Sequence, residues 1–72
     1  MAAWWKDVYS TMVARIGYDD ATQELLCEWN NGRVSAYQGV DEATALRLSK
    51  APSVGSAVNS EIKNRFPHRY VS

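Results

Sequence analysis

The 72-residue chain holds one cysteine, one histidine, one phenylalanine, two prolines and four glycines. With Cys27 alone there is no internal disulfide and no cysteine-based metal cluster, which fits a reducing cytosol. His68, the sole histidine, lies in the tail and reads as a solvated residue rather than a ligand or general base. Gly17, Gly32, Gly39 and Gly55 are scattered, so no phosphate-binding loop is written here, and no Gly-x-Ser-x-Gly elbow supports a serine triad. Asp19 and Asp20 adjoin one another without the further oxygen ligands of a calcium loop. No catalytic set and no cofactor site emerges, which predicts a non-enzymatic protein. Long apolar runs are missing too. The first, residues 1–5, meets Lys6 and Asp7 at once and is too short for a signal peptide or a membrane span, predicting a soluble, cytoplasmic protein.

Net charge is also lacking: eight Lys and Arg balance eight Asp and Glu. This argues against a nucleic-acid binder held mainly by charge. The balance is uneven along the chain. Asp7, Asp19, Asp20, Glu24, Glu28, Asp41 and Glu42 outnumber Lys6, Arg15 and Arg33 up to residue 42, whereas Arg47, Lys50, Lys63, Arg65 and Arg69 face only Glu61 afterwards. At this length one domain forms near the lower size limit for a single core, burying about 60% of its unfolded surface.

The local signals that are present centre on a hairpin. Apolar runs over residues 25–29 and 33–37 flank Asn30-Asn31-Gly32, residues that tolerate tight turns. A type I turn over Asn30 and Asn31 with Gly32 left-handed pairs Trp29 with Arg33. A two-residue Asn31-Gly32 turn pairs Asn30 with Arg33 instead and slides the register by one. The first sets Leu25, Cys27 and Trp29 beside Ser35 and Tyr37; the second sets them beside Val34 and Ala36. Upstream, Met12, Ala14, Ile16 and Tyr18 alternate with Val13, Arg15 and Gly17, which predicts a strand over residues 11–18. A turn at residues 19–22 joins it to the hairpin. After Gly39 the period becomes helical. Asp41 is the expected N-cap, Val40 packs on Ala45 as a hydrophobic staple, and a first helix runs to about Lys50 with Leu46 inward. Ser53 caps a second helix whose stripe is Val54, Ala57 or Val58, Ile62 and Phe66, ended by Pro67.

The expected architecture is therefore α+β: a three-stranded antiparallel meander followed by two helices on one sheet face, βββαα. Residues 1–7 form an aromatic leader in which Trp4 and Trp5 either dock on the sheet or contact a partner. Cys27, mid-strand with no nearby lysine or histidine in sequence, reads as a buried structural thiol. Lys50, Lys63, Arg65 and Arg69 fall at helix ends and in the tail, and Tyr37 supplies an aromatic ring at a strand end. Cations beside an aromatic on a sheet are what single-stranded nucleic-acid binding uses.

Ile16-Gly17-Tyr18-Asp19, then Leu25, Trp29, Gly32, Tyr37 and Gly39-Val40, then Ala51-Pro52-Ser53, Gly55, Asn59 and Ile62 follow in an order that resembles the KTSC domain. That module is named for its occurrence at the C-terminus of some lysyl-tRNA synthetases and also stands alone in bacterial or phage proteins. The resemblance covers residues 8–70, between the leader and a tail at residues 71–72. It implies no established activity; RNA binding is the role suggested for the family. One departure is that the family's central Tyr-x-Tyr stands here as Ser35-Ala36-Tyr37. The expected function is a non-enzymatic module binding RNA or single-stranded nucleic acid through Tyr37, Lys50, Lys63, Arg65 and Arg69. The alternative is a protein-interaction module, such as a small phage-encoded inhibitor or adaptor, acting through Trp4 and Trp5 or an uncovered sheet face. Neither implies a membrane, and the expected state is a monomer or weak homodimer.

Overall fold

The Asn30-Asn31-Gly32 turn decides the register of the whole sheet. In the computed structural model, which describes residues 3–8 and 10–71, Gly32 has φ +90°. The Trp29 and Arg33 backbones pair, with Trp29 N–H donating to Arg33 O at 2.8 Å and Gly32 N–H donating to Trp29 O at 2.9 Å. This is the first of the two registers, and it places Leu25 opposite Tyr37 and Cys27 opposite Ser35. The positive φ favours glycine because an L side chain is strained in that backbone conformation, even though the space around a Cβ there is open.

The sheet is wider than the meander read from the sequence. Strands β2 (Val13–Asp19), β3 (Glu24–Trp29) and β4 (Val34–Gln38) form that meander, but β1 (Ala3–Asp7) and β5 (His68–Tyr70) pair antiparallel on its two sides, giving five strands in chain order. The leader, expected either to dock on the sheet or to contact a partner, and residues 68–70, for which no strand was expected, are thus the sheet's edges. Each satisfies the backbone groups of an apolar inner strand. Pro67 does not prevent this, because its carbonyl accepts the Gln38 N–H at 2.9 Å. Met1 and Ala2 of the expected leader and Ser72 of the expected tail lie outside the described residues.

A bulge alters β2. Its pairing with β3 shifts between Val13 and Arg15, so that Val13 opposes Trp29 while Arg15 opposes Glu28. The extra residue, Ala14, breaks the alternation expected from the sequence. Val13, not Met12 or Ala14, joins Ile16 and Tyr18 in the core, and Met12 is exposed.

Helices α1 (Glu42–Ser49) and α2 (Val54–Glu61) cover one sheet face, where Ala45, Leu48, Val54, Val58 and Ile62 pack on Ile16, Tyr18, Leu25 and Cys27. Val40 and Ala45 are both buried, as a staple requires. The Asp41 carboxylate does not cap the helix backbone; it accepts from the Thr44 hydroxyl. Leu46, expected inward, is exposed, because packing Ala45 and Leu48 inward turns the intervening position out. Ser53 caps α2 by accepting the Ser56 N–H. This helix ends earlier than its apolar stripe, since Asn64 adopts φ +72°. Lys63 and Arg65 therefore lie in the turn after α2 rather than in its last turn, while Phe66 still packs on the core.

The opposite face carries a row that crosses all five strands, Trp5-Gly17-Leu26-Ala36-Arg69. Its centre is apolar, and the two edge strands shelter it with long side chains. Trp5 lies across Gly17, where an added Cβ would sit 2.8 Å from Trp4 O and 2.9 Å from the Trp5 ring. Arg69 reaches from the other edge to Glu24 at 3.2 Å, and Ala36 is fully buried. Trp4, on the helix side, has its ring centroid 6.3 Å from that of Tyr18 and donates Nε1–H to Glu42 at 3.1 Å.

Three substitutions test this use of the leader. Gly17→Ala should cost about 1–3 kcal/mol by forcing β1 away from β2. Trp4→Ala should cost about 2–4 kcal/mol, more than Trp5→Ala, because Trp4 is the one packed on the core. Urea denaturation measures all three; stabilities equal to the parent would show that β1 is not part of the cooperative unit.

Candidate nucleic-acid interface

Two helices leave part of their sheet face open beside β5. There the face bears an aromatic row, with Tyr37 on β4 opposite His68 on β5, and next to it Ser35 opposite Tyr70. The result is a cleft of about 480 Å³. Ser35, Tyr37, His68 and Tyr70 line it from the sheet; Trp29, Asn30, Asn31 and Arg33 line it from the hairpin. Asn59 of α2, Lys63 beyond it and Met12 complete the lining.

Its aromatic groups are held in place. The His68 ring stacks on Tyr37 with centroids 5.2 Å apart and planes at 29°, and Tyr70 meets His68 edge-on at 5.4 Å. Arg33 places its guanidinium carbon over the Tyr70 ring at 4.9 Å, a cation–π contact of about 0.5–1 kcal/mol at an exposed site. Trp29 Nε1–H donates to Ser35 Oγ at 2.9 Å, which fixes the indole against the β4 strand. Tyr37 is 2% exposed, so it supports His68 rather than offering a face of its own; Tyr70, 56% exposed, is the open ring. This corrects the sequence reading that gave Tyr37 the open aromatic face; His68 is exposed as expected, but it lies on an edge strand and stacks on Tyr37.

Electrostatically the cleft differs from the rest of the molecule. None of the side chains lining it is acidic, and among the described residues neither Arg33 nor Lys63 meets a carboxylate. Of the six cations elsewhere, three are paired, Arg15 with Glu28, Arg47 with Glu61 and Arg69 with Glu24, while Lys6, Lys50 and Arg65 form no ion pair among the described residues. The Arg47 hydrogen bond holds the Glu61 carboxyl below its ordinary range.

Of the basic residues singled out from the sequence, only Lys63 shares the cleft with Tyr37. Lys50 lines a separate hollow of about 290 Å³ with Asp7, Val8 and Val54. Arg65 is exposed in the turn near Glu61, and Arg69 points to the opposite sheet face. The expected single patch of four cations is therefore divided, because Arg69 alternates with His68 and Tyr70 on β5 and because α2 ends early. Trp4 and Trp5 separate in the same way, and Trp5 remains 40% exposed with Arg15 4.6 Å over its ring. Arg33, Asn59, His68 and Tyr70 were not assigned to the site from sequence. The alternation in His68-Arg69-Tyr70 was the signal for His68 and Tyr70, and three residues are too few to read it; Asn59 appeared only among the residues of the family resemblance.

Cys27 is fully buried, and burial pushes its thiol up to about 12. Burial is likewise the first cause that raises the phenols of Tyr18 and Tyr37, with Glu42 adding to the first and Cys27 to the second. Among the described residues no three His, Cys, Asp or Glu side chains converge as a metal site requires. No helix among them is long and apolar enough to cross a membrane.

The architecture defines the class: a small α+β domain with five antiparallel strands, two helices on one face and an aromatic, cation-lined cleft at one side. The chain belongs to the KTSC domain family, whose profile matches residues 9–66. It is similar to a KTSC domain protein from Yersinia pestis of known crystal structure, with a TM-score of 0.89 at 27% identity, covering 99% of this chain and 100% of that one. No curated protein matches the sequence.

The buried acids make the fold sensitive to alkali. In the unfolded chain Cys27 ionises near its ordinary value of about 8.5, while in the fold it keeps its proton to about 12. The unfolded state loses that proton first. Stability is thus full below about pH 8.5 and falls as pH rises, by up to about 1.4 kcal/mol per pH unit. Tyr18 and Tyr37 add to the loss above about pH 10. Urea denaturation across this range should show the decline, and Cys27→Ala should flatten its part below pH 10. A stability independent of pH up to 10 would contradict a buried thiol.

Proposed function

We propose that this KTSC domain is a non-enzymatic binding module for single-stranded nucleic acid, RNA foremost, and that the ligand enters the cleft between the hairpin, α2 and β5. One observation carries this reading. A chain of zero net charge concentrates an open tyrosine ring, two cations without carboxylate partners and three asparagines in one hollow that lacks acids. Base stacking on aromatic rings and phosphate contact by Lys and Arg are the two components of single-strand binding. The Asn59 carboxamide, which no side-chain hydrogen bond occupies among the described residues, supplies a group suited to base edges. Carriage of a free Cys27 suits action in the reducing cytosol.

The original set of Tyr37, Lys50, Lys63, Arg65 and Arg69 is accordingly narrowed. Tyr37 becomes a support, Tyr70 the stacking ring, and Arg33 and Lys63 the phosphate contacts. The protein-partner reading rests on a different observation, the exposed Trp5 ring on the opposite sheet face. It needs no cleft residue, so the two readings separate cleanly by mutation.

Titration of labelled single-stranded RNA at several salt concentrations tests the proposal. Two phosphate contacts predict a log–log slope of about −1.4 for a single strand. Lys63→Ala should weaken binding and reduce that slope by about 0.7, whereas Tyr70→Ala should lower affinity and leave the slope unchanged. Trp5→Ala should change neither. An absence of RNA binding in low salt by the folded protein, or equal loss on Trp5→Ala, would favour the protein partner.

A further inference from the structure

The polar side chains of the cleft narrow the ligand further, and this step rests on the nucleic-acid reading above. A hollow of about 480 Å³ falls within the range that encloses small molecules, which suits one nucleotide better than a run of them. Two of the three asparagines are occupied in holding the turn. Asn30 Nδ2 donates to Thr11 O at 2.9 Å and to Ser10 O at 3.4 Å, and Asn31 Oδ1 accepts the Arg33 N–H at 3.0 Å. Asn59 is different. It is exposed on α2, lines the cleft and has no hydrogen-bond partner among the described residues, so both its donor and its acceptor are available to a ligand.

The geometry points to a single-nucleotide subsite selective for adenine, with the base on Tyr70, its edge on the Asn59 carboxamide and its phosphate on Lys63 and Arg33. Arg33 already lies over the Tyr70 ring, the place a base takes on an aromatic platform, and an entering base moves this guanidinium towards the phosphate. Stacking area favours a purine over a pyrimidine. Between the purines the edge decides. A carboxamide offers a donor beside an acceptor, which matches N7 and N6 of adenine, whereas N7 and O6 of guanine are both acceptors and suit Arg or Lys. The other edge of guanine presents adjacent donors, best met by a carboxylate, and the cleft has none.

Amide NMR titration of the intact domain, following the Asn59 side-chain resonances, tests this with AMP, GMP, UMP and ribose 5-phosphate. A-rich and U-rich single-stranded RNA provide a second arm. AMP should shift the Asn59 carboxamide, compete with RNA and bind roughly fivefold or more tightly than GMP, the lower end of what one bidentate base contact discriminates. Ribose 5-phosphate should bind weakest. Asn59→Ala, at an exposed position, should bring AMP to the level of GMP while leaving the salt dependence of RNA binding intact. Equal or tighter binding of GMP overturns the assignment, as does an adenine preference that survives Asn59→Ala. Should A-rich and U-rich RNA bind equally, the adenine subsite falls while RNA binding stands. Should the folded protein bind neither RNA nor nucleotide, both fall together.

Discussion

The left-handed conformation of Gly32 is the constraint from which most of the remaining structure follows. It sets the β3–β4 register, and because side chains alternate, a slip of one residue would send Ser35 and Tyr37 to the opposite face. Tyr37 would then leave Leu25 and the core, and Trp29 would lose the Ser35 hydroxyl that its indole now reaches. The β5 strand pairs with β4, so the slip would also carry His68 and Tyr70 away from α2. Core, cleft and the placement of the tail therefore depend on one turn of three small polar residues.

The edge strands solve two problems at once. Inner strands β2 and β4 would otherwise present unpaired backbone, and the sheet face away from the helices would expose Leu26, Ala36 and Val34. β1 pairs with β2 and lays Trp5 over Gly17; β5 pairs with β4 and extends Arg69 to Glu24. Each edge also turns a second side chain to the helix face, Trp4 against Tyr18 at one side and His68 against Tyr37 at the other. In so small a domain no layer is left to cover the second face, and alternation along short edge strands supplies the cover.

What could be read from the sequence was what short-range physics decides. The Gly32 turn, the Val40–Ala45 staple, the Ser53 cap and the buried Cys27 each depend on neighbours within a few residues. The edge strands depend on partners at a distance: Trp4 pairs opposite Tyr18 and His68 opposite Tyr37. Three or five residues carry too little periodicity to announce them. The Ala14 bulge and the left-handed Asn64 are single-residue departures that change a phase without changing the composition. The first put Val13 in the core in place of Met12 and Ala14, and the second misdirected the candidate site by taking Lys63 and Arg65 out of α2. Asn59 and Gly32 did appear among the residues that carry the family resemblance, so the cleft was partly visible there before its geometry was known.

Charge placement, rather than charge total, shapes what the cleft is suited to bind. Glu24, Glu28 and Glu61 engage Arg69, Arg15 and Arg47, so these cations are answered locally and contribute little field beyond a Debye length. Arg33 and Lys63 stand outside that pairing, on the side of the sheet where the hairpin and the post-α2 turn approach each other. Two unanswered cations can orient a phosphate but give only modest affinity, because counterion release scales with the number of phosphates contacted. The proposed single-nucleotide subsite would gain most where effective concentration supplements its intrinsic affinity, through repeated sites along a strand or through attachment to a larger RNA-associated protein. A small domain with a closed core would suit such tethered use, since the groups proposed to contact the ligand, Arg33, Asn59, Lys63 and Tyr70, are exposed and lie outside the packing that keeps it folded.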